Sequence, residues 1–245
     1  MKILLTIAYV GTAYCGWQVQ KNGVSVQSVV QDAVCEIFGK RYPVTGCSRT
    51  DSGVHASGFK CTIDIDDDAP RIPEKKIPVA MNTKLPDDIA VRSAIYVGEE
   101  FHARYSVKSK RYEYRINNSR IRDPFQSGRV WNVSQHLDER IMDSAARAFI
   151  GTHDFSAFRA AGSDVPDSVR TVYDASVRRA GDTIIFSVSA DGFLYNMVRI
   201  MVGTLVEVAK GNITPELSEV IASRDRKMAG VTAPPDGLSL VEVLY

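Results

Sequence analysis

The chain has 245 residues, 44% hydrophobic and 24% charged, a composition typical of a globular protein with one large or two ordinary domains. Its formal net charge is +1, so overall charge does not indicate a polyanionic partner, and any nucleic-acid surface must come from local clusters of basic residues. No stretch reaches the roughly 20 apolar residues of a membrane helix, and polar residues interrupt the N-terminal apolar run, so we expect neither a membrane segment nor a signal peptide.

Cysteine spacing bears on metal binding and on cellular location. The four cysteines, Cys15, Cys35, Cys47 and Cys61, include no CxxC pair of the kind that binds zinc. A disulfide framework is not expected in a chain of this length without secretory features. We therefore predict no metal site and a reducing, cytoplasmic location.

Hydrophobic patterns predict the elements of the first part of the chain. A helix is expected between a cap at Ser25 and a stop at Gly39, because apolar residues recur there at helical spacing. The other predicted elements are strands over Met1–Val10, Tyr42–Cys47, Phe59–Ile65 and Ile89–Val97, and a short helix over Ile77–Asn82. The segment Ser48–Gly58 is predicted to be a loop between two strands.

The second part of the chain is also predicted to contain both strands and helices. Strands are predicted over Lys110–Ile116, Arg170–Arg178, Thr183–Ala190 and Leu238–Leu244, and helices over Asp138–Phe149, Leu194–Ala209 and Thr214–Ser223. The last helix would have Thr214 as its cap and Pro215 at its first position. Intermixed helices and hairpins favour an α+β fold over a doubly wound parallel sheet. We predict two similar subdomains, 1–105 and 106–245, each a mainly antiparallel sheet with helices on one face, around a central cleft.

The most informative segment is Ser48-Arg49-Thr50-Asp51-Ser52-Gly53-Val54-His55-Ala56, which sets a carboxylate between two apolar strands. Catalytic groups concentrate on loops that a rigid scaffold holds. Composition alone also fits an ordinary turn, because Asp caps its own backbone and Gly accepts positive φ.

Residues 49–56 resemble the signature of the tRNA pseudouridine synthase A family, and other blocks of that family occur along the chain in the family's order. These blocks are Tyr14–Gln20, Lys110–Tyr114, Gly151–Phe155, Phe193–Leu205 and Thr232–Leu238. One departure is Ala8-Tyr9-Val10-Gly11, where family members usually have Tyr-Asp-Gly. It lies outside the residues expected to carry the chemistry.

The resemblance implies a function and a set of site residues. It implies isomerisation of uridine to pseudouridine at positions 38, 39 and 40 of the tRNA anticodon stem-loop, by a homodimer whose central cleft binds RNA. It implies Asp51 as the catalytic carboxylate and Tyr112, Arg49 and Arg199 as substrate-binding residues. No cofactor is expected, and the sequence has no phosphate loop and no dinucleotide motif.

A carboxylate suits this reaction. The C1′–N1 bond of uridine breaks, the base turns, C5 bonds to C1′ and the C5 proton leaves. Asp51 would either add to C1′ or remove a neighbouring proton. A nearby arginine would keep it ionised, and Arg49, two residues away, and Arg199 are the two candidates. Arg199 lies in an otherwise apolar predicted helix and needs a partner; we predict Asp51, with a structural salt bridge or outward snorkelling as the alternative.

Other residues have competing interpretations. Arg49 is expected to contact the RNA backbone or to help displace the target base, or else to be an ordinary loop arginine. Tyr112 would stack on uracil or assist removal of the C5 proton, with Tyr114 as the fallback because both face the same side of a strand. A hydrogen-bonding role in the loop is favoured over catalysis for His55.

Basic residues cluster in the middle of the chain. Seven of them, Arg104, Lys108, Lys110, Arg111, Arg115, Arg120 and Arg122, lie in a stretch that contains one acidic residue, Glu113. Interleaved tyrosines add stacking surfaces, so we predict contact with tRNA. A solvated strand face is the alternative.

Two other functions compete with the synthase. One is an RNA-binding protein without catalysis, which the presence of Asp51, Arg49 and Tyr112 disfavours. The other is a metal-dependent hydrolase that uses Asp51, His55 and one further histidine, His102, His136 or His153; no HxxxH or HxH spacing supports it.

Overall fold

The computed structural model describes residues 1–162, 165–213 and 216–245. The strands in these residues are β1 (Lys2–Tyr9), β2 (Val44–Gly46), β3 (His55–Asp64), β4 (Ile89–Val97), β5 (Ser109–Asn117), β6 (Trp131–Asn132), β7 (Gly151–Asp154), β8 (Val169–Ala180), β9 (Thr183–Ala190) and β10 (Leu238–Leu244). The α-helices are α1 (Val26–Phe38), α2 (Lys76–Asn82), α3 (Glu139–Ala146), α4 (Met197–Ala209) and α5 (Leu217–Ser223).

The chain forms two compact units. The first unit contains Met1–Lys108 and Ser239–Tyr245, and the second contains Ser109–Leu238. Every helix in the described part of the chain is too short or too polar to span a membrane.

The sheet of the first unit positions the loop of residues 48–54. Its strand order is β4-β1-β3-β10; β1 is antiparallel to both neighbours, β10 is parallel to β3, and β2 pairs antiparallel with β3. The loop joins β2 to β3. A capping box between Ser25 and Ser28 begins α1, and Gly39 in the left-handed region at φ +73° ends it. Helix α2 packs against α1 and β4.

The sheet of the second unit is antiparallel along its length. Its order is β5-β9-β8-β7, and β6 adds to β5 in parallel. Helix α3 packs against β8 and α4, and α4 also contacts β5. Nine of the thirteen residues of α4, from Met197 to Val206, are buried, so this helix forms the centre of the unit's core.

The predicted α+β fold with mainly antiparallel pairing is confirmed. The similarity of two halves and the cleft between them stay predictions. The short strands β6 and β7 were not predicted. The predicted cap Thr214 and first-turn Pro215 lie outside the described residues, and the helix that follows spans Leu217–Ser223.

Several predicted boundaries differ from the structure, and three of the differences have a clear structural cause. Strand β3 begins at His55 rather than Phe59, because His55 and Ala56 pair with β10. Helix α4 begins at Met197 rather than Leu194, because Asn196 has a left-handed backbone at φ 58°. Helix α3 ends at Ala146, and the 3₁₀ turn Arg147–Phe149 completes the segment predicted as one helix.

Candidate active site

The loop that carries Asp51 is held by main-chain hydrogen bonds from the segment after β1. The backbone N–H of Trp17 donates to the Thr50 carbonyl at 3.2 Å, and that of Gly53 donates to the Tyr14 carbonyl at 3.4 Å. The Tyr9 and Thr50 hydroxyls share a buried hydrogen bond of 2.8 Å. Residues on both sides of Asp51 are therefore fixed to one segment.

The loop also closes on itself. The Val54 N–H donates to the Asp51 carbonyl at 3.2 Å, and Gly53 has a φ of +81°, which favours glycine. The Ser52 hydroxyl donates to the Tyr14 carbonyl at 3.2 Å. Asp51 thus occupies a defined turn rather than a free loop.

Two glycines allow the supporting segment to approach the loop. A Cβ on Gly11 would lie 2.0 Å from the Val54 carbonyl oxygen, and one on Gly16 would lie 2.5 Å from the Thr50 carbonyl oxygen. Real side chains do not fit at these distances, so only glycine permits the contact. Gly16 also has a φ of +97°, where other residues are strained.

Tyr14 and Trp17 anchor the supporting segment itself. The Tyr14 hydroxyl donates to Asp88 Oδ1 at 2.5 Å, and burial, with the Asp88 carboxylate, raises the pKa of Tyr14. The Trp17 ring packs on Phe59 with ring centres 4.1 Å apart. The block Tyr14–Gln20 therefore has a structural role, which is to hold the loop of Asp51 in place.

The residues of the loop differ in exposure. Asp51 is half-buried, whereas Arg49 is exposed. Within the described residues, the Arg49 guanidinium has no ion pair or hydrogen bond, so it is available to a ligand. His55 is buried, and its Nδ1 accepts a hydrogen bond of 2.9 Å from the Gly11 N–H. This contact is the hydrogen-bonding role that the sequence favoured for His55.

The histidines do not assemble a metal site within the described part of the chain. No group of three or more His, Cys, Asp and Glu side chains there is arranged to hold a metal ion. His102 Nδ1 accepts hydrogen bonds from the backbone of Arg104 and Tyr105, at 3.1 and 3.2 Å.

The two tyrosines of β5 have different surroundings. Tyr112 is 6% exposed, and its ring meets Phe193 edge-on with centres 5.0 Å apart. Tyr114 is fully buried, and its hydroxyl donates to the Pro234 carbonyl at 2.7 Å. Burial raises the pKa of Tyr114. Its hydroxyl is thus committed to the backbone, which makes Tyr114 a packing residue.

Arg199 is held by contacts with the N-cap residue of α4 and with the segment before β10. Its Nε donates to the Ala233 carbonyl at 2.7 Å, and its Nη1 donates to Asn196 Oδ1 at 2.8 Å. The Ala233 N–H in turn donates to the Arg199 carbonyl at 3.1 Å. The guanidinium is therefore oriented by its own unit.

The segment that binds Arg199 lies unusually close to α4. A Cβ on Gly203 would lie 1.8 Å from the Val231 carbonyl oxygen, so the helix and the segment are in backbone contact. The Gly230 N–H donates to the buried Thr204 hydroxyl at 2.9 Å. Together with the contacts between Arg199 and Ala233, they hold the segment before β10 against the block Phe193–Leu205.

Some of the predicted site residues lie in the first unit and the others lie in the second. Arg49, Asp51 and His55 belong to one loop and the start of β3 in the first unit, and Tyr112 and Arg199 belong to the second. The pairing of Asp51 with Arg199 stays a prediction. Sequence reasoning missed the residues that position the site, such as Asp88 and Asn196, because neither stands in a recognisable pattern.

Comparison with known proteins identifies the family of this chain. The sequence model of the tRNA pseudouridine synthase family matches residues 5–106 and 145–245. The tRNA pseudouridine synthase A of Thermoanaerobacter sp. strain X514 is 45% identical over 248 residues, which cover 99% of each chain. The protein of that name from Acetivibrio thermocellus is 46% identical over 244 residues, again 99% of each chain. The one from Ruminiclostridium cellulolyticum is 46% identical over 246 residues, 100% of this chain and 99% of that one. Relatedness over the full length at this identity means that the chain belongs to the tRNA pseudouridine synthase A family, whose members are isomerases acting on tRNA.

Proposed function

We propose that this protein isomerises uridine to pseudouridine at positions 38, 39 and 40 of the tRNA anticodon stem-loop. Membership of the family supports a tRNA substrate and a uridine isomerisation. The observation that carries the catalytic proposal is the turn of Asp51, whose neighbours Thr50, Ser52 and Gly53 all bond to the segment Tyr9–Trp17. A fixed carboxylate suits a reaction that needs one group at a set distance from a sugar carbon.

Asp51 acts as the nucleophile in this proposal. Its carboxylate bonds to C1′ as the C1′–N1 bond breaks, and the electron pair of that bond stays with the uracil ring. The freed base turns, C5 attacks C1′, and the carboxylate leaves. The C5 proton then departs and N1 gains a proton, so substrate and product have the same atoms. No oxidant and no group donor is needed, which supports a reaction without a cofactor.

The substrate-binding residues take separate roles. Tyr112 offers a ring to the uracil, and Arg199 offers a cation that favours the ionised form of Asp51. Arg49, exposed and without a partner in the described residues, contacts a phosphate or replaces the displaced base. Removing the target uridine from its stack costs a few kcal/mol, which these contacts offset.

Basic and aromatic side chains near the end of the first unit extend the RNA surface. Tyr105 is 78% exposed and Arg104 lies over its ring at 5.9 Å. Lys108 is also exposed. Such a combination binds phosphates and stacks on bases.

The proposal is tested with tRNA transcripts that carry tritium at C5 of uracil. We expect release of tritium without added metal or cofactor, and unchanged release after treatment with a chelator. Transcripts with a single anticodon-stem uridine, at 38, 39 or 40, should each release it. Tight binding without release would leave an RNA-binding protein, and loss of activity in chelator would revive the metal-dependent alternative.

Location and assembly follow from the same proposal. The protein acts in the cytoplasm, where tRNA is found, and as a homodimer, as the family resemblance implies. Light scattering at micromolar concentration should give twice the mass of one 27.0 kDa chain. A mass of one chain, in a preparation that is active on tRNA, would remove the dimer from the proposal.

Asn196 provides a test of how Arg199 is positioned. Asn196→Gly removes the acceptor for Arg199 Nη1 and relieves the positive φ, so stability should be unchanged or higher while kcat falls about 10- to 100-fold. Asn196→Asp keeps an acceptor oxygen and tolerates this backbone, so it should retain activity. We would measure kcat by tritium release and stability by urea unfolding. Wild-type kcat in Asn196→Gly would mean that this hydrogen bond does not position Arg199.

A further inference from the structure

The loop of residues 120–129, between β5 and β6, exposes two large apolar side chains to solvent. Phe125 is 92% exposed and Ile121 is 81% exposed, the highest values among large hydrophobic residues in the described part of the chain. Large apolar side chains that an ordered loop exposes to solvent mark candidate interaction sites.

This 120–129 loop has a preformed shape. Asp123 Oδ1 accepts a hydrogen bond from the Phe125 N–H at 2.9 Å, and Asp123 Oδ2 accepts one from Gln126 Nε2 at 3.0 Å. Pro124 begins the 3₁₀ turn Pro124–Gln126, and the Arg129 N–H donates to the Gln126 carbonyl at 3.0 Å. A partner that binds Phe125 therefore orders little new structure, which lowers the entropy cost of binding.

The base of the loop is equally fixed. Asn118 Nδ2 donates to the carbonyls of Val133 and Gln135 at 2.9 and 2.7 Å. Asn118 Oδ1 accepts from the Leu137 N–H at 3.1 Å and from Arg179 Nη2 at 3.1 Å. One side chain thus joins the chain just before the loop to residues 133–137, which follow β6, and to Arg179 on β8.

The charge of the loop indicates which partner it fits. Arg120, Arg122 and Arg129 are exposed and have no side-chain partner within the described residues. The loop has one carboxylate, Asp123, which the turn uses, so three arginines and one aspartate give a net charge of +2. Exposed guanidinium groups on the same short loop as an exposed aromatic ring match a nucleic acid, which offers phosphates beside stacking bases.

A second copy of the same loop fits less well. In a two-fold contact centred on the loop, the loop would meet its own copy, so two surfaces of charge +2 would face each other. A polyanion has the opposite sign and gains from the same arginines.

The loop lies away from the proposed uracil site within its unit. Tyr112 and Asn117 are five residues apart on β5, about 17 Å at the rise of a strand. Strand β6 then runs beside Ile116 and Asn117, so the loop stays at that end of the strand. It also belongs to residues 107–144, between the two parts that the family's sequence model matches.

We propose that the 120–129 loop is a second RNA-binding element, in which Phe125 stacks on an unpaired base of the tRNA away from the reacting uridine. Arg120, Arg122 and Arg129 bind the flanking phosphates. The inference rests on the proposed function, because it takes tRNA as the substrate.

The test compares Phe125→Ala, Phe125→Trp and wild type in binding and turnover. Phe125→Ala should bind unmodified tRNA about 5- to 100-fold more weakly by fluorescence anisotropy. It should raise KM with kcat unchanged, since the contact is the same before and during the reaction. Phe125→Trp should restore affinity. Val79→Ala, which trims a 68% exposed apolar residue on α2, is the matched control and should bind like wild type.

The arginines have a separate readout. The affinity falls as salt rises, and changing Arg120, Arg122 and Arg129 together to Gln should make the slope of log affinity against log salt shallower by about two units. Phe125→Ala should leave that slope unchanged. The melting temperature should not move in Phe125→Ala, because the ring is almost fully exposed.

Three outcomes would overturn the inference. Wild-type tRNA affinity in Phe125→Ala would exclude stacking. A lower assembly mass with wild-type affinity would show that the loop binds protein. If the wild-type protein neither binds tRNA nor releases tritium, the proposed function is wrong, and so is the inference that rests on it. If the wild-type protein is active, a negative result with the Phe125 variants contradicts the inference about the loop alone.

Discussion

Asp51→Asn should abolish isomerisation while tRNA binding persists. The substitution keeps the size of the side chain and removes the anionic oxygen that the proposed reaction uses at C1′. We expect kcat to fall at least about 10²- to 10⁴-fold, the range for one acid–base group, and further if the carboxylate forms a covalent bond. Tritium release at saturating tRNA measures kcat, and anisotropy measures the affinity.

Ser52→Ala is the matched control for this experiment. Ser52 is the next residue of the same turn, and its hydroxyl donates to the Tyr14 carbonyl at 3.2 Å. Its loss perturbs the loop by one partly buried hydrogen bond between neutral groups without touching the carboxylate, so kcat should stay within about threefold of wild type. Equal activities of Asp51→Asn and wild type would show that Asp51 is not the catalytic group.

The two roles proposed for a carboxylate can be separated with labelled RNA. If Asp51 attacks C1′, deuterium at C2′ of the target uridine should have little effect on kcat. If Asp51 instead removes the C2′ proton, the same label should slow the reaction several-fold when that step limits turnover. The measurement uses wild-type protein and so does not depend on how a variant folds.

Much of the fold could be predicted from local patterns. Strands over Ile89–Val97, Thr183–Ala190 and Leu238–Leu244 were predicted with the bounds that the structure has, because β-branched residues and flanking turn residues define them locally. The start of β3 could not be predicted, since His55 and Ala56 become strand through pairing with residues almost 200 positions away. Local sequence does not contain that information.

In the candidate site, too, local patterns could be predicted and contacts between distant residues could not. The carboxylate of Asp51 stands in a motif, so its loop could be identified from sequence. What holds the loop comes from contacts between distant residues, such as Tyr14 with Asp88 and Gly11 with Val54. Asn196 illustrates the limit best, because its strained backbone and its bond to Arg199 appear only in three dimensions.

Gly16→Ala should damage both stability and catalysis, because it displaces the turn of Asp51 directly. The new Cβ would lie 2.5 Å from the Thr50 carbonyl oxygen and 3.1 and 3.2 Å from backbone atoms of Asp51 and Ser52, so the backbone must move. Overpacking and the φ of +97° together should lower the free energy of unfolding by about 2–5 kcal/mol. A shift near 1 Å at the carboxylate should lower kcat about 100-fold.

Gly39→Ala separates crowding from backbone strain. Gly39 also has a positive φ, +73°, but nothing lies within 4 Å of its Cβ position. The substitution should lower the free energy of unfolding by about 1–2 kcal/mol and leave kcat unchanged. Urea unfolding and tritium release on both variants give the comparison. If Gly16→Ala is too unstable to assay, Tyr9→Phe, which removes the 2.8 Å bond between the Tyr9 and Thr50 hydroxyls, should lower kcat more than Gly39→Ala does. Wild-type kcat in Gly16→Ala would mean that the segment Tyr9–Trp17 does not set the position of Asp51, and that the turn keeps its geometry by its own hydrogen bonds.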